Sequence, residues 1–117
     1  MIDPRSAWTA KANRRVQFGY GLNYSIDIDY AVIVDVRDKD EFQELHIPDA
    51  VNISRGLLEY EVEEKYPDRN TTIICHCGGG GRSALAAESL QKMGYKNVRS
   101  MAGGFRAWKA AGLPTTK

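Results

Sequence analysis

The stretch Thr71-Thr72-Ile73-Ile74-Cys75-His76-Cys77-Gly78-Gly79-Gly80-Gly81-Arg82-Ser83 decides how this chain is read. Its apolar first half has the composition of a buried strand, four consecutive glycines break that strand, and Ser83 to Met93 carries a helical pattern. A strand that opens through a glycine loop into a helix leaves a row of backbone N–H groups pointing inward. The positive end of the helix dipole and the Arg82 guanidinium strengthen the same field, which suits an anion. A thiol at the start of such a loop ionises readily, because its thiolate is the anion being held. Cys77 is therefore the candidate nucleophile, with Gly78, Gly79, Gly80, Gly81, Arg82 and Ser83 as its cradle. The competing reading is a small buried hydrophobe followed by a flexible turn. It accounts for the thiol but not for strand, Cys, glycine loop, Arg and helix arriving in that order.

Upstream of the loop, Ala31-Val32-Ile33-Val34-Asp35-Val36 is a β-branched run of the kind found in strands buried on both faces. Asp38 to Leu45 reads as a short helix, with Asp38 as its cap and Glu41 three residues on. Residues 50–53 form a short strand, and Leu57 to Lys65 a helix stopped by Pro67-Asp68. Downstream, Gly94 ends the helix after the loop, Val98 to Met101 is a strand, and Gly103-Gly104 turns the chain into a helix over 104–111. Strands alternating with helices, in buried rather than alternating pattern, predict an α/β fold with a mainly parallel sheet. Ligands of such sheets bind beyond the C-terminal strand ends, where Cys77 falls.

Residues 1–29 read as an N-terminal extension to a domain spanning 30–117. Pro4 to Arg15 suggests a short helix, Phe18 to Asn23 a loop, and Ser25 to Tyr30 a half-exposed edge strand. At 117 residues the chain is one domain, and a net charge of +1 gives no broad field for nucleic acid or membrane surfaces. No apolar run reaches membrane-spanning length. The basic residues Arg5, Lys11, Arg14 and Arg15 give the N-terminus a trace of transit-peptide character, against which Asp3 and its shortness weigh. Cys75 and Cys77, two residues apart on one strand face, have the wrong geometry for an ordinary disulfide. A reducing compartment, the cytoplasm, is the expectation.

Several familiar motifs fail. In a phosphate-binding GxxxxGK[ST] loop ending at Ser83 the first glycine would fall on His76, and Arg82 stands in place of Lys. The dinucleotide fingerprint would need its third glycine at Ser83. A zinc site from Cys75, His76 and Cys77 is opposed by strand alternation, so no metal or other cofactor is expected. His76 faces away from Cys77 on the same ground, and His46, in the turn before Ile47-Pro48, suits a structural hydrogen bond. Cys77 thus has no dedicated base, which favours chemistry with a good leaving group.

Taken together, Val34-Asp35-Val36-Arg37, Glu41-Phe42 and His46-Ile47-Pro48-Asp49-Ala50-Val51-Asn52-Ile53 resemble the N-terminal signature of rhodanese-like domains. Cys77 through Arg82-Ser83-Ala84 resembles their active-site loop, and Gly94-Tyr95 with Gly103-Gly104-Phe105-Arg106-Ala107-Trp108 their C-terminal part. The resemblance implies an open sheet of mainly parallel strands flanked by helices on both faces. It also implies transfer of sulfane sulfur through a persulfide on Cys77, from a donor such as thiosulfate to cyanide or a thiol, with a sulfur-relay protein as a further candidate partner. Asp35, Arg37 and Glu41 would support the site through ion pairs or hydrogen bonds. Cysteine-dependent phosphatases and arsenate reductases of similar fold carry five residues between Cys and Arg. Gly78 to Gly81 gives four, whereas Cys75 as nucleophile would give six. Some thiosulfate-specific rhodaneses place basic residues directly after the cysteine; Gly78 and Gly79 stand there here, so thiosulfate is expected to be a poor surrogate donor. The alternative readings are a non-catalytic binding module of this fold and, behind it, a phosphatase or arsenate reductase.

Overall fold

A computed structural model of the chain describes residues 1–12, 16–18, 24–26 and 31–117. Helix α1 (Pro4–Ala12) is followed by two short strands, β1 (Val16–Phe18) and β2 (Tyr24–Ile26), paired antiparallel with Val16 opposite Ile26. Phe18, expected to open a loop, ends β1 instead; the extension of the first helix to Arg15, residues 19–23 of that loop and residues 27–30 of the strand expected over 25–30 lie outside the described residues.

The main sheet has four strands: β3 (Val32–Asp35), β4 (Val51–Asn52), β5 (Thr72–His76) and β6 (Asn97–Ser100). They run parallel in the order β4-β3-β5-β6. Alternation of side chains splits each central strand between two cores. Val34 and Val36 of the β3 segment and Ile73, Cys75 and Cys77 of the β5 segment point to one cluster. That cluster is closed by Leu58 and Val62 of α3 (Leu58–Lys65) and Ala86, Ala87 and Leu90 of α4 (Gly81–Lys92). Ala31, Ile33 and Ile74 point to the other, closed by Ala7 of α1 and Phe105 and Trp108 of α5 (Gly104–Ala110). Both central strands are therefore buried on both faces, which is why their sequences read as unbroken apolar runs. Within the expected extension, Ala7 is fully buried, and the Ile2 N–H donates to the Ser100 carbonyl at 3.0 Å.

The strand order also locates the site. From the C-terminal end of β3 the chain leaves through α2 (Lys39–Glu44) toward β4, and from β5 it leaves through α4 toward β6. The two connections diverge, opening a crevice between the ends of β3 and β5. Asp35, Arg37 and Cys77 stand at its rim. Most elements lie within a residue or two of expectation, but α4 starts at Gly81 rather than Ser83. Gly80, at φ 111°, turns the chain so that Gly81 and Arg82 already belong to the first helical turn. The N–H groups of Gly81, Arg82 and Ser83 are thereby among those a helix leaves without an internal partner.

Candidate active site

The loop after β5 is held from behind by α5. Its first N–H groups donate outward to the loop: Phe105 to the Cys77 carbonyl at 2.7 Å and Arg106 to the Gly78 carbonyl at 3.1 Å. In a trans peptide the N–H points away from the C=O. Fixing these two carbonyls toward α5 therefore turns the N–H groups of Gly78 and Gly79 the other way. The approach is so close that a Cβ on Gly104, whose φ is +60°, would lie 2.5 Å from the Cys77 oxygen. Only glycine fits there.

The Cys77 sulfur accepts a hydrogen bond from the Gly80 N–H at 3.1 Å and lies 3.7 Å from the Ser83 hydroxyl. That hydroxyl is itself fixed, 3.1 Å from the Gly80 carbonyl and 2.9 Å from the Ser100 hydroxyl. Burial pushes the Cys77 thiol up, but the N–H and hydroxyl of Ser83 and the N–H groups of Gly80 and Gly79 outweigh it. The net shift is below the ordinary thiol value. Cys75 shares the same strand face without these donors, and burial pushes its thiol up to about 12. Two cysteines two residues apart thus have opposite chemistry. Cys77 stands where the strand has ended and backbone N–H groups are free; Cys75 stands inside the sheet.

Arg82 does not face the cradle unpaired. Its guanidinium is bound by Glu41 of α2, at 3.1 Å and 3.4 Å, and one of its nitrogens stands 3.5 Å from where a Gly78 Cβ would be. Glu41 also accepts the Asp38 N–H at 3.2 Å, so the residue that caps α2 also anchors the loop cation. The Arg82 pairing holds the Glu41 carboxyl below its usual range.

Asp35 and Arg37 form a buried fork, with Arg37 Nε 3.0 Å from Asp35 Oδ1 and Nη2 2.8 Å from Oδ2. Arg37 Nη2 also donates to the Leu45 carbonyl at 2.8 Å. Fully buried His76 lies between this fork and the loop. Its Nε2 is 3.4 Å from Asp35 Oδ2 without a hydrogen bond, and its Nδ1 is 3.4 Å from the Cys77 carbonyl. Burial pushes the His76 pKa down, only partly offset by Asp35. His46 hydrogen-bonds the Phe42 carbonyl at 2.8 Å and stacks on the Phe42 ring. The fold thus brings together Cys77, the glycines, Arg82 and Ser83, with Asp35 and Arg37 behind them. Sequence reading missed the Ser100 hydroxyl and the carbonyl clamp from α5; it expected Glu41 to pair near the site without naming Arg82 as the partner. The one local signal for the clamp was the Gly103-Gly104 pair ahead of an aromatic residue.

An open parallel sheet with a cysteine at the head of a glycine loop, at the switch point between β3 and β5, defines the class of α/β protein. Residues 23–111 match the rhodanese-like domain, and the chain belongs to that family. Among its relatives is the thiosulfate sulfurtransferase GlpE of Coxiella burnetii, 40% identical over 79 residues, 68% of this chain and 72% of that protein. Among solved structures, a rhodanese with anions from E. coli superposes with a TM-score of 0.65 at 32% identity, over 74% of this chain and 98% of that one. RPA3614 of Rhodopseudomonas palustris CGA009, a protein of unknown function described as a possible tyrosine phosphatase, gives 0.68 at 37% identity, over 74% of this chain and 70% of that one.

Proposed function

We propose that this chain is a sulfurtransferase that carries sulfane sulfur as a persulfide on Cys77. The observation that carries this reading is the Cys77 thiol, shifted toward thiolate by the Gly80 N–H and the Ser83 hydroxyl and N–H without any base. The thiolate attacks the outer sulfur of thiosulfate; the Cys77–S bond forms, the S–S bond of the donor breaks, and sulfite leaves with the electron pair. The outer sulfur of the persulfide then carries the negative charge, and the loop N–H groups of residues 78–83 receive it. Cyanide or a thiolate attacks that sulfur in turn, and Cys77 departs as thiolate, completing two half-reactions on one covalent intermediate. The sulfite leaving group needs no proton, which fits a site whose neighbouring imidazole, His76, is fully buried with its Nδ1 turned to the Cys77 carbonyl.

Cys77 is 1% exposed, so a donor meets it with a terminal atom rather than enclosing it. The four-residue spacing between Cys77 and Arg82 supports a sulfur atom over a tetrahedral phosphate as the bound group. No described helix is long and apolar enough to cross a membrane, and two free thiols suit a reducing compartment such as the cytoplasm. Acceptors would include small thiols, cyanide or a relay protein.

The test is intact mass after incubation with thiosulfate under non-reducing conditions. The wild type gains one sulfur atom that cyanide removes, and Cys77→Ser gains none. A persulfide on Cys75 instead, or hydrolysis of an aryl phosphate with no sulfur uptake, would overturn the assignment.

A further inference from the structure

β6 turns a serine toward the interior. Val98 and Ser100 share the buried face of that strand, Val98 within the apolar cluster and Ser100 opposite Cys75 in register. A hydroxyl buried there costs free energy unless it is hydrogen-bonded. Among the described residues its partner is the Ser83 hydroxyl, 2.9 Å away. Ser83 in turn lies 3.1 Å from the Gly80 carbonyl and 3.7 Å from the Cys77 sulfur, so a line of hydroxyls runs from β6 to the thiol.

Proton counting fixes the direction of that line. Ser83 has one hydroxyl proton, and the Gly80 carbonyl can only accept it. The Ser100 proton must then point at Ser83 Oγ, since in the reverse sense it would be buried without an acceptor. In the thiol form Ser83 Oγ also accepts the Cys77 S–H. Once Cys77 has given its proton to water, the sulfur can only accept. Ser83 can turn its proton from Gly80 to the sulfur at little cost, because the Gly80 carbonyl keeps the Ala84 N–H at 3.1 Å. Ser100 stays the donor to Ser83 Oγ in both forms, and a hydroxyl that accepts a hydrogen bond donates a stronger one.

We infer that Ser100 is a positioning residue for the reaction at Cys77: without touching the sulfur, its hydroxyl aims and strengthens the Ser83 hydroxyl toward the thiolate. The inference rests on the reading of Cys77 as the sulfur-carrying nucleophile. The titratable and charged groups around Cys77 are Arg82, bound to Glu41, the Cys75 thiol, and His76 with Asp35 and Arg37. Among the described residues none of these side chains bonds to the Ser100 hydroxyl, so its replacement leaves them in place.

The test is the pH profile of iodoacetamide alkylation at Cys77 in the full chain, read by peptide mapping. Ser100→Ala deletes one oxygen atom, and thermal melting run alongside identifies the folded range in which each profile is read. Its profile should move up by about half a pH unit, the lower end of what one neutral hydrogen bond contributes. Alkylation is then about threefold slower below the midpoint and equal to wild type well above it. In a Ser83→Ala background the same substitution should move the profile no further, since the route through Ser83 is gone. A Ser100→Ala profile that coincides with wild type, or an equal displacement with and without the Ser83 hydroxyl, overturns the inference. The rate of sulfur uptake from thiosulfate should follow the same displaced profile. A wild type that takes up no sulfur overturns the persulfide reading and this inference with it. The alkylation profiles are obtained without any sulfur donor, so the two failures are distinct.

Discussion

Gly104 and Cys77 are in backbone contact: the position of a Gly104 Cβ lies 2.5 Å from the Cys77 carbonyl oxygen, and the next N–H along, that of Phe105, donates to that oxygen at 2.7 Å. A helix start packed this tightly against a loop fixes the loop's peptide planes from outside the site. The glycine run alone leaves those planes free, since glycine constrains its own backbone least of all residues. The thiol is therefore prepared for ionisation partly by a segment 27 residues further along the chain.

Gly104→Ala tests this contact. The left-handed φ of +60° costs an Ala side chain roughly 1–2 kcal/mol, and the clash with Cys77 and Gly78 adds to it. Thermal unfolding should move down by several degrees, and alkylation of Cys77 should need a higher pH. A variant with unchanged melting and an unchanged alkylation profile would show that the contact does not shape the loop.

Ser83→Ala removes the hydroxyl that bridges the Cys77 sulfur, the Gly80 carbonyl and the Ser100 hydroxyl. The pH at which iodoacetamide reacts with Cys77 should rise, and stability should fall by about 1 kcal/mol for the lost buried hydrogen bonds. Thiol reactivity and denaturant midpoint measure the two effects separately.

Cys75 and Cys77 should be separable by reactivity alone. At about pH 8, a folded sample should be alkylated at Cys77 while Cys75, with its thiol pushed up to about 12, stays unmodified. Peptide mapping reads this directly. Cys75→Ala should keep most of the sulfur transfer, at a stability cost of about 1 kcal/mol for the small cavity.

His76 makes stability depend on pH. Its neighbours are the Asp35 carboxylate, the Arg37 guanidinium bound to it, the Phe105 ring and the Cys77 carbonyl. Burial holds its folded pKa below the ordinary imidazole value of 6.5. The unfolded chain therefore takes up this proton first as the pH falls. Its contribution is fully present above pH 6.5 and is lost as the pH drops toward the folded value. Urea midpoints compared at about pH 7.5 and pH 5.5 should differ in the wild type and converge in His76→Gln. A slope that survives the substitution would assign the effect to another group.

Glu41→Gln should release Arg82 toward the cradle. KM for thiosulfate is expected to fall by about two- to fivefold at low salt, with the gain shrinking as ionic strength rises. An unchanged KM would mean that Arg82 does not meet the donor, whether or not Glu41 holds it.

Much of this site could be read along the chain because its parts are contiguous. Residues 72–83 contain the strand, the thiol, the glycine loop and the start of the helix, so local periodicity and turn chemistry place Cys77 at a strand end. Asp38 and Glu41 announce the α2 cap through a three-residue spacing, and the apolar runs at 32–34 and 72–75 announce strands covered on both sides. α4 begins two residues ahead of Ser83 because Gly81, a poor helix former, hides the start that the left-handed turn at Gly80 sets.

The alternation of strands and helices, the cysteine at the end of β5 and the difference in setting between Cys75 and Cys77 follow from residue order along the chain. Those features depend on the neighbours of each residue along the chain. The pairing of Glu41 with Arg82, 41 residues away, and the hold of Phe105 and Arg106 on the loop carbonyls arise from the folded arrangement alone. Charge and hydrogen-bond direction in the cradle are set by contacts between β5, α2 and α5, and no local pattern encodes which of several polar side chains will meet when three separate elements close on one crevice.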